Sequence, residues 1–313
     1  MEHRQIGELR VSLIGLGCNN FGRHLDSDST KRVVDSALEH GVNFFDTADV
    51  YYGVEGSSEI QLGEALAGRR DQVIIGTKFG KQHPQGDLGW GGASPQWVKT
   101  AVENSLRRLR TDWIDLYQLH EPDPSVPIEE TLGALDQLVE AGMVREIGHS
   151  GFSAEEMRHA DAMARERGYA RFESTQTQWN LLTRQAEEDV VPAAAGLGMA
   201  ILPFFPLSSG LLTGKYRSGV APDPSWRLAK IPNRTRFIDE ERLRVTMDLE
   251  RYAHDHGHSL LDLAFSWLAS FEVVGSVIAG ATRAEQVAAN AVAANWHLSF
   301  EDLEEINQIA QAT

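Results

Sequence analysis

Short apolar runs and amphipathic segments alternate along almost the whole chain. Runs of apolar and β-branched residues predict strands, whereas apolar residues that recur every three or four positions predict helices. The predicted strands cover residues 13–16, 43–48, 73–78, 113–120, 144–149, 174–179, 199–202 and 273–279. The predicted helices cover residues 29–40, 57–66, 94–108, 128–141, 153–167, 186–196, 240–256, 259–270, 283–293 and 300–312. Residues 6–14 also predict a short hairpin that turns at Gly7.

This regular alternation predicts an α/β fold. Short buried strands separated by helices are typical of a parallel sheet. Eight such repeats favour a closed (β/α)8 TIM barrel over an open doubly wound sheet, and a length of 313 residues suits a single barrel. We therefore expect one domain over residues 1–313, with a short N-terminal hairpin before the barrel and a C-terminal helix after it. The long connection over residues 203–239 is interpreted as a functional loop.

Charge and composition narrow the possible functions. The net charge is −16, from 29 Lys and Arg against 45 Asp and Glu, which argues against binding to nucleic acid or to an anionic membrane. Cys18 is the only cysteine, so the chain cannot form an internal disulfide. Residues 1–5 lack the apolar core of a signal peptide, and no apolar run approaches the ~18 residues of a spanning helix. We therefore expect a cytoplasmic protein.

Ionisable residues stand at the ends of three consecutive predicted strands. Asp46, Lys78 and His120 end the second, third and fourth strands, and Tyr51 follows Asp46 by five positions. In a (β/α)8 barrel the carboxyl ends of all strands meet at one rim, where active sites lie. A buried aspartate requires a cation or strong donors. Lys78, one strand away, is the expected partner of Asp46.

These four residue types suit proton transfer to a carbonyl oxygen. A free tyrosine titrates near ~10, and a cation within ~4–6 Å lowers the pKa of such a group by roughly 1–3 units. Lys78 is therefore expected to lower the pKa of Tyr51, while a neutral His120 would hydrogen-bond the same oxygen. The set lacks a hydride source, which implies a nicotinamide cofactor. Taken singly, Asp46 also fits a structural carboxylate, Lys78 a solvated lysine and His120 a loop-packing histidine.

The motifs around these residues resemble those of the aldo-keto reductase superfamily. The matching segments are residues 46–51, 77–79 and 119–123, and the resemblance extends from residue 14 to residue 290. It implies reversible NAD(P)-dependent reduction of an aldehyde or ketone to an alcohol. In that family pattern Tyr51 is the general acid, Lys78 and Asp46 tune it, and His120 orients the carbonyl. Tyr52 competes for the acid role, but the family spacing of five from Asp46 selects Tyr51.

The same resemblance implies where the cofactor lies. Ser150 and Gln176 match positions that hold the carboxamide of the nicotinamide, although Gly151 stands where asparagine is usual. Residues 204–216 resemble the pyrophosphate loop, in which Phe204 would stack on the nicotinamide ring, and residues 278–290 resemble the adenosine-binding end. The full set of expected cofactor-binding residues is Gly17, Cys18, Asn19, Asp46, Ser150, Gly151, Gln176, Phe204, Phe205, Pro206, Leu207, Ser209, Gly210, Leu211, Lys215, Ala279, Gly280, Thr282, Gln286 and Asn290.

Several assignments have alternatives. NADP is the first choice because it dominates the family. NAD stays open, because many family members that use NADP carry a Lys or Arg at the position of Gly280 or Thr282 to pair with the 2′-phosphate. The nearest cation here is Arg283, one position later. The rival functions are an NADP-binding regulatory protein similar to channel β-subunits and an NAD-dependent sugar dehydrogenase. No metal site is expected, because residues 254–258 are interpreted as a histidine-rich helix end. The expected partner is a small carbonyl or alcohol substrate, recognised by residues 82–93 and 217–237 with Trp90 and Trp226. The oligomeric state is left open.

Overall fold

The fold is that of a computed structural model, which describes residues 1–51, 56–81, 91–217, 219–224, 226, 228–230 and 239–311. The strands are β1 His3–Ile6, β2 Leu9–Ser12, β3 Ile14–Gly17, β4 Phe44–Asp46, β5 Ile74–Phe79, β6 Ile114–Leu119, β7 Val144–Ser150, β8 Phe172–Gln178, β9 Ala200–Phe204 and β10 Val277–Gly280. The helices are α1 Ser27–Glu39, α2 Ser57–Ala65, α3 Pro95–Leu109, α4 Ile128–Glu140, α5 Ala154–Arg167, α6 Val190–Leu197, α7 Glu240–Asp255, α8 Leu260–Ala269, α9 Ala284–Val292 and α10 Phe300–Gln311.

Eight parallel strands close into a barrel in the order β10-β3-β4-β5-β6-β7-β8-β9. The predicted (β/α)8 TIM barrel, with its N-terminal hairpin and C-terminal helix, is confirmed. The hairpin β1–β2 turns at Gly7, whose positive φ of 54° explains the glycine. Ile6 and Val11 of the hairpin form one apolar cluster with Phe44, Leu116 and Leu202 of the barrel strands. The organisation of residues 1–313 as one domain stays a prediction.

Local sequence signals set the helix ends. At the start of α5, Ser153 accepts a hydrogen bond from Glu156 N at 3.3 Å, and the Glu156 carboxylate accepts one from Ser153 N at 2.7 Å. This capping box satisfies backbone N–H groups that a helix leaves without partners. Ser259 and Asp262 form the same box at the start of α8. In the described part of the chain, none of the helices combines the length and the apolar character needed to cross a membrane.

The last barrel strand begins later than predicted. The sequence pattern predicts a strand over residues 273–279, but the regular ladder covers only Val277–Gly280. The preceding residues meet β9 at a single bridge, between Ile201 and Val274, and Phe271 to Val274 close a turn. The apolar run therefore serves two purposes, first as part of a turn and then as a strand, which periodicity alone does not separate.

A buried histidine next to the site makes stability depend on pH. His149 is fully buried between Phe152 and Phe172, with ring centroids 4.2 and 5.0 Å away, and this burial lowers its pKa from 6.5 to about 3. Protonation therefore favours the unfolded chain at any pH below 6.5. We expect His149→Leu to reduce the loss of unfolding free energy on acidification by at most about 1.4 kcal/mol per pH unit between pH 6.5 and 3.

Urea unfolding at several pH values measures this slope. His159, an exposed histidine of α5, offers a matched control, and His159→Leu is expected to keep the wild-type slope. Equal slopes in the His149 and His159 variants would contradict the role given to burial.

Candidate active site

A buried ion pair lies at the carboxyl ends of β4 and β5. Asp46 is 3% exposed and Lys78 is 1% exposed. Lys78 Nζ donates to Asp46 Oδ1 at 2.8 Å, to Asp46 Oδ2 at 2.7 Å and to the carbonyl oxygen of Thr47 at 2.9 Å. Lys78 is thus the partner that the buried carboxylate requires. Removal of either charge would leave the other buried and uncompensated, which would strongly destabilise the fold.

Tyr51 and His120 lie next to this pair. Tyr51 Oη is 3.5 Å from Lys78 Nζ, and the rings of Tyr51 and His120 meet edge to face with centroids 5.8 Å apart. Backbone hydrogen bonds fix both segments, since Asp49 N donates to Lys78 O at 3.0 Å and His120 N to Phe79 O at 2.8 Å. The structure therefore brings together all four residues proposed from the sequence. Tyr52, the rival of Tyr51, lies outside the described residues.

The charge state of Lys78 follows from two opposing effects. Burial alone lowers the pKa of a lysine, but the Asp46 carboxylate and, next, Tyr51 raise it. Their effect is the larger, so the pKa of Lys78 lies above its usual value. Lys78 is consequently a cation at neutral pH.

The expected lowering of the pKa of Tyr51 is wrong in its net direction. Burial raises the pKa of Tyr51, and this effect exceeds the lowering by Lys78; Asp46 raises it further. The sequence argument included the cation but not the loss of water around the phenol. Tyr51 is therefore a neutral phenol at neutral pH, with its proton in place.

His120 is held neutral. Burial lowers the pKa of His120 well below its usual value, and the positive charges of Lys78 and Lys81 lower it further. Its Nδ1 has no hydrogen-bond partner among the described residues. A neutral imidazole beside a phenol and an ammonium group can donate a hydrogen bond to an oxygen placed between them.

Two glutamine amides reach the same carboxylate from other strands, Gln118 from β6, two strands away, and Gln176 from β8 on the opposite side of the barrel. Gln176 Nε2 donates to Asp46 Oδ1 at 2.5 Å, and Gln118 Nε2 donates to it at 3.5 Å. The family resemblance implied a role for Gln176, but the sequence analysis missed Gln118. A signal was present, because Gln118 is a polar residue within an apolar strand, two positions before His120. Alternation along a strand directs such a position into the barrel.

Several of the residues expected to bind a cofactor lie at the strand ends of the same rim, and others lie on or before α9. Gly17 at the end of β3 is the register partner of Gly280 at the end of β10, and Ser150 of β7 is the partner of Gln176 of β8. Phe204 ends β9. Ala279 lies in β10 and Asn290 is buried on α9, while the side chain of Gln286 accepts hydrogen bonds from Thr282 N at 2.8 Å and Thr282 Oγ1 at 3.1 Å.

The segment after β9 has a strained backbone. Phe205, Ser208 and Ser209 have positive φ values of 54°, 45° and 56°, and Gly210 follows at 101°. L-residues rarely adopt this region, and such strain clusters at functional sites. Pro206 and Leu207 lie within this turn, and Leu211 is fully buried at its base. The glycine and the two serines of this turn leave its backbone accessible next to the exposed side chain of Phe205.

Two cations flank this turn. Partial burial lowers the pKa of Lys215, and the nearby positive charge of Arg283 lowers it further. Lys215 Nζ also lies over the rings of Tyr216 and Trp226, 5.4 and 5.5 Å from their centroids. Like charges in proximity favour an anion between them.

Trp226 packs edge to face on Tyr216, with centroids 5.1 Å apart, and Trp90 lies outside the described residues.

The remaining candidates for cofactor binding are Cys18, Asn19 and Gly151. Cys18 is fully buried, Cys18 N donates to Asp46 O at 2.8 Å, and burial raises the pKa of its thiol well above the usual value. Asn19 Oδ1 lies 3.4 Å from the point where a Cβ on Gly280 would be. Gly151 has a positive φ of 72°. Among the described residues, no group of His, Cys, Asp and Glu side chains is placed to hold a metal ion, and His258 stacks on Trp296 with centroids 4.2 Å apart.

Comparisons with known proteins agree with this site. The family model described as "Aldo/keto reductase family" matches residues 13–311. The chain is 33% identical to a probable voltage-gated potassium channel subunit beta of Oryza sativa subsp. japonica, over 93% of this chain and 90% of that protein. It is 34% identical to aldo-keto reductase YhdN of Bacillus subtilis (strain 168), over 100% and 95% respectively. A solved aldo-keto reductase of Bacillus halodurans, in its holo form, superposes with a TM-score of 0.82 at 32% identity, over 100% of this chain and 97% of that one. The chain belongs to the aldo/keto reductase family, and it is therefore an oxidoreductase.

Proposed function

We propose that the protein reduces an aldehyde or ketone to an alcohol reversibly, with Tyr51 as the general acid and base. The observation that carries this proposal is the line of contacts from Asp46 through Lys78 to Tyr51, with His120 against the tyrosine ring. Family membership implies NAD(P)H-dependent carbonyl reduction in general. The roles of individual residues in this chain are our inference.

Proton transfer at Tyr51 follows from its surroundings. In the reductive direction the Tyr51 hydroxyl donates its proton to the carbonyl oxygen as that oxygen becomes an alkoxide. Lys78, 3.5 Å from the hydroxyl, stabilises the phenolate that forms, and Asp46 keeps the Lys78 ammonium in place. Neutral His120 donates a hydrogen bond to the same oxygen and orients it. A positioned proton donor contributes about 10²–10⁴ in rate.

The rim residues fit a nicotinamide dinucleotide. Such a cofactor supplies the hydride when bound. Ser150 and Gln176, which are register partners on β7 and β8, would hold its carboxamide, and the strained turn at Phe205 to Gly210 would let backbone approach a pyrophosphate. Lys215 and Arg283 provide two positive charges for its phosphates. Of the two, Arg283 at the end expected to bind adenosine is the cation that favours NADP over NAD.

Turnover of carbonyl compounds tests this function. Purified protein is expected to oxidise NADPH with at least some members of a panel of aldehydes and ketones, and fluorescence titration is expected to give a lower Kd for NADPH than for NADH. Because Tyr51 is a neutral phenol at neutral pH, reduction should remain active there, whereas alcohol oxidation should rise with pH. Absence of turnover with the whole panel contradicts the proposal. Oxidation of sugars with NAD alone would instead favour the sugar dehydrogenase.

A regulatory function is the second candidate. It is favoured by the 33% identity to a protein whose name describes a probable channel subunit beta. A protein of this kind would bind NADPH and turn it over poorly. Affinity capture from membranes of the source cells, with a stoichiometric membrane partner recovered, would support this function over an independent reductase.

A further inference from the structure

Gln118 is a buried amide inside the barrel that the proposed chemistry does not use directly. It lies on β6, is 0% exposed, and is the register partner of both Lys78 on β5 and Gly148 on β7. Its Nε2 donates to Asp46 Oδ1 at 3.5 Å. Its Oε1 has no hydrogen-bond partner within the described ranges. Burying an amide costs free energy when one of its polar ends has no hydrogen-bond partner. The buried Gln118 amide therefore requires an explanation, and its hydrogen bond to Asp46 is the contact that can supply one.

A glycine on the neighbouring strand β7 leaves room beside this side chain. A Cβ on Gly148 would lie 3.2 Å from Gln118 Cγ, a tight contact, and 2.3 Å from the Ser174 hydroxyl, which is too close for a real contact. A Cβ on Gly76 of β5 would meet Phe44 first, at 3.1 Å, and would lie at an ordinary contact distance of 3.4 Å from Gln118 Nε2. The close packing around Gln118 limits the directions that its amide can take.

The Asp46 carboxylate is held from two sides. Lys78 donates to both of its oxygens, and the two glutamine amides donate to Oδ1. Gln176 is the register partner of Ser150, and Gln118 is the register partner of Gly148. Because Ser150 follows Gly148 by two residues along β7, Gln176 lies nearer the rim than Gln118. In the proposed function Gln176 also serves the cofactor. The Gln118 side chain makes no hydrogen bond other than that to Asp46 among the described residues, so its contact with the carboxylate does not depend on the cofactor.

We propose that Gln118 is a positioning residue: its amide holds the Asp46 carboxylate against Lys78 and thereby sets the placement of the Lys78 ammonium beside Tyr51. This inference rests on the proposed function. The Gln118 side chain does not contact Tyr51, and it acts through Asp46 and Lys78. Loss of the amide leaves Oδ1 with fewer donors, so the carboxylate is held less firmly and the negative potential near Tyr51 increases.

Paired substitutions test the amide. Gln118→Met keeps the length of the side chain and removes the donor, and we expect kcat to fall about tenfold at every pH. Gln118→Glu replaces the amide by a carboxyl group that is protonated at low pH, because two adjacent carboxyl groups cannot both ionise easily. The protonated form still donates to Asp46. We therefore expect the Gln118→Glu variant to approach wild-type kcat at low pH and to fall below Gln118→Met as the new carboxyl group ionises.

The kcat of Gln118→Met separates positioning from mere packing. A packing role would leave it close to the wild-type value, because methionine keeps the length of the side chain, whereas the new carboxyl group of Gln118→Glu adds an ionisation in either case. A Gln118→Met variant with wild-type kcat at every pH would overturn the proposal. Gln137, an exposed glutamine of α4, offers matched controls, and Gln137→Met and Gln137→Glu are expected to keep the wild-type profile. Gln118→Asn withdraws the amide by one methylene and substitutes for Gln118→Met if the latter does not fold.

A second measurement keeps this test separate from the test of the proposed function. If the wild type turns over no carbonyl compound, the proposed function fails, and Gln118 is tested by titrating Tyr51 itself. The phenolate absorbance of Tyr51 is obtained as the difference between each protein and its Tyr51→Phe version. We expect Tyr51 to titrate at higher pH in Gln118→Met than in the wild type. Identical titrations would overturn the positioning role.

Discussion

Replacement of Tyr51 by phenylalanine is expected to lower kcat by about 10²–10⁴ and to leave the Kd for NADPH within about twofold of the wild-type value. The substitution removes one hydroxyl group and keeps the ring that meets His120 edge to face. The hydroxyl group that lies 3.5 Å from Lys78 Nζ can then no longer donate its proton. The rim residues proposed to hold the cofactor are unchanged. Steady-state reduction of an accepted aldehyde and fluorescence titration of NADPH measure the two quantities.

Tyr52→Phe is the matched control, because it removes the same group from the next position. It is expected to keep at least half of the wild-type kcat. A loss of turnover in Tyr52→Phe alone would move the acid to Tyr52. Equal Kd increases in both variants, with kcat unchanged, would mean that the hydroxyl groups bind the cofactor and do not transfer the proton.

The architecture was predictable because it depends on local patterns. Short apolar strands followed by amphipathic helices leave few alternatives to a barrel, and the residues at the strand ends then meet at one rim by topology alone. Asp46, Lys78 and His120 were found in this way. The limits of β10 were predicted less well, since Val273 and Val274 are apolar and β-branched but belong to a turn and a single bridge.

The details of the site depend on distances between atoms, which the pattern of apolar and polar residues in the sequence does not give. The net direction of the pKa of Tyr51 is set by how much water the fold removes, and burial exceeds the effect of Lys78. The contact of Gln118 with Asp46 joins two strands separated by β5 and residues 72 positions apart. The space that Gly148 leaves beside this side chain is likewise visible only when the strands are in register.

Replacement of Lys78 by methionine is expected to lower the free energy of unfolding by about 3–5 kcal/mol and to reduce kcat at least as much as Tyr51→Phe. Methionine keeps the length of the side chain but leaves the Asp46 carboxylate, 3% exposed, with the two glutamine amides and no cation. The carbonyl oxygen of Thr47 also loses its donor. Urea unfolding and steady-state kinetics measure the two losses.

The double variant Asp46→Asn with Lys78→Met separates the two effects of this pair. Since it removes both charges, we expect it to be more stable than Lys78→Met by at least 1 kcal/mol while remaining as inactive. Lys31, which pairs with Asp35 on the surface of α1 and is 61% exposed, offers the matched control, and Lys31→Met is expected to change stability by about 0–1 kcal/mol. If Lys78→Met and Lys31→Met unfold at the same urea concentration, the buried pair does not hold Asp46 in the way inferred here. If the double variant regains activity, Lys78 is not needed beside Tyr51, and the proton transfer must then be assigned without it.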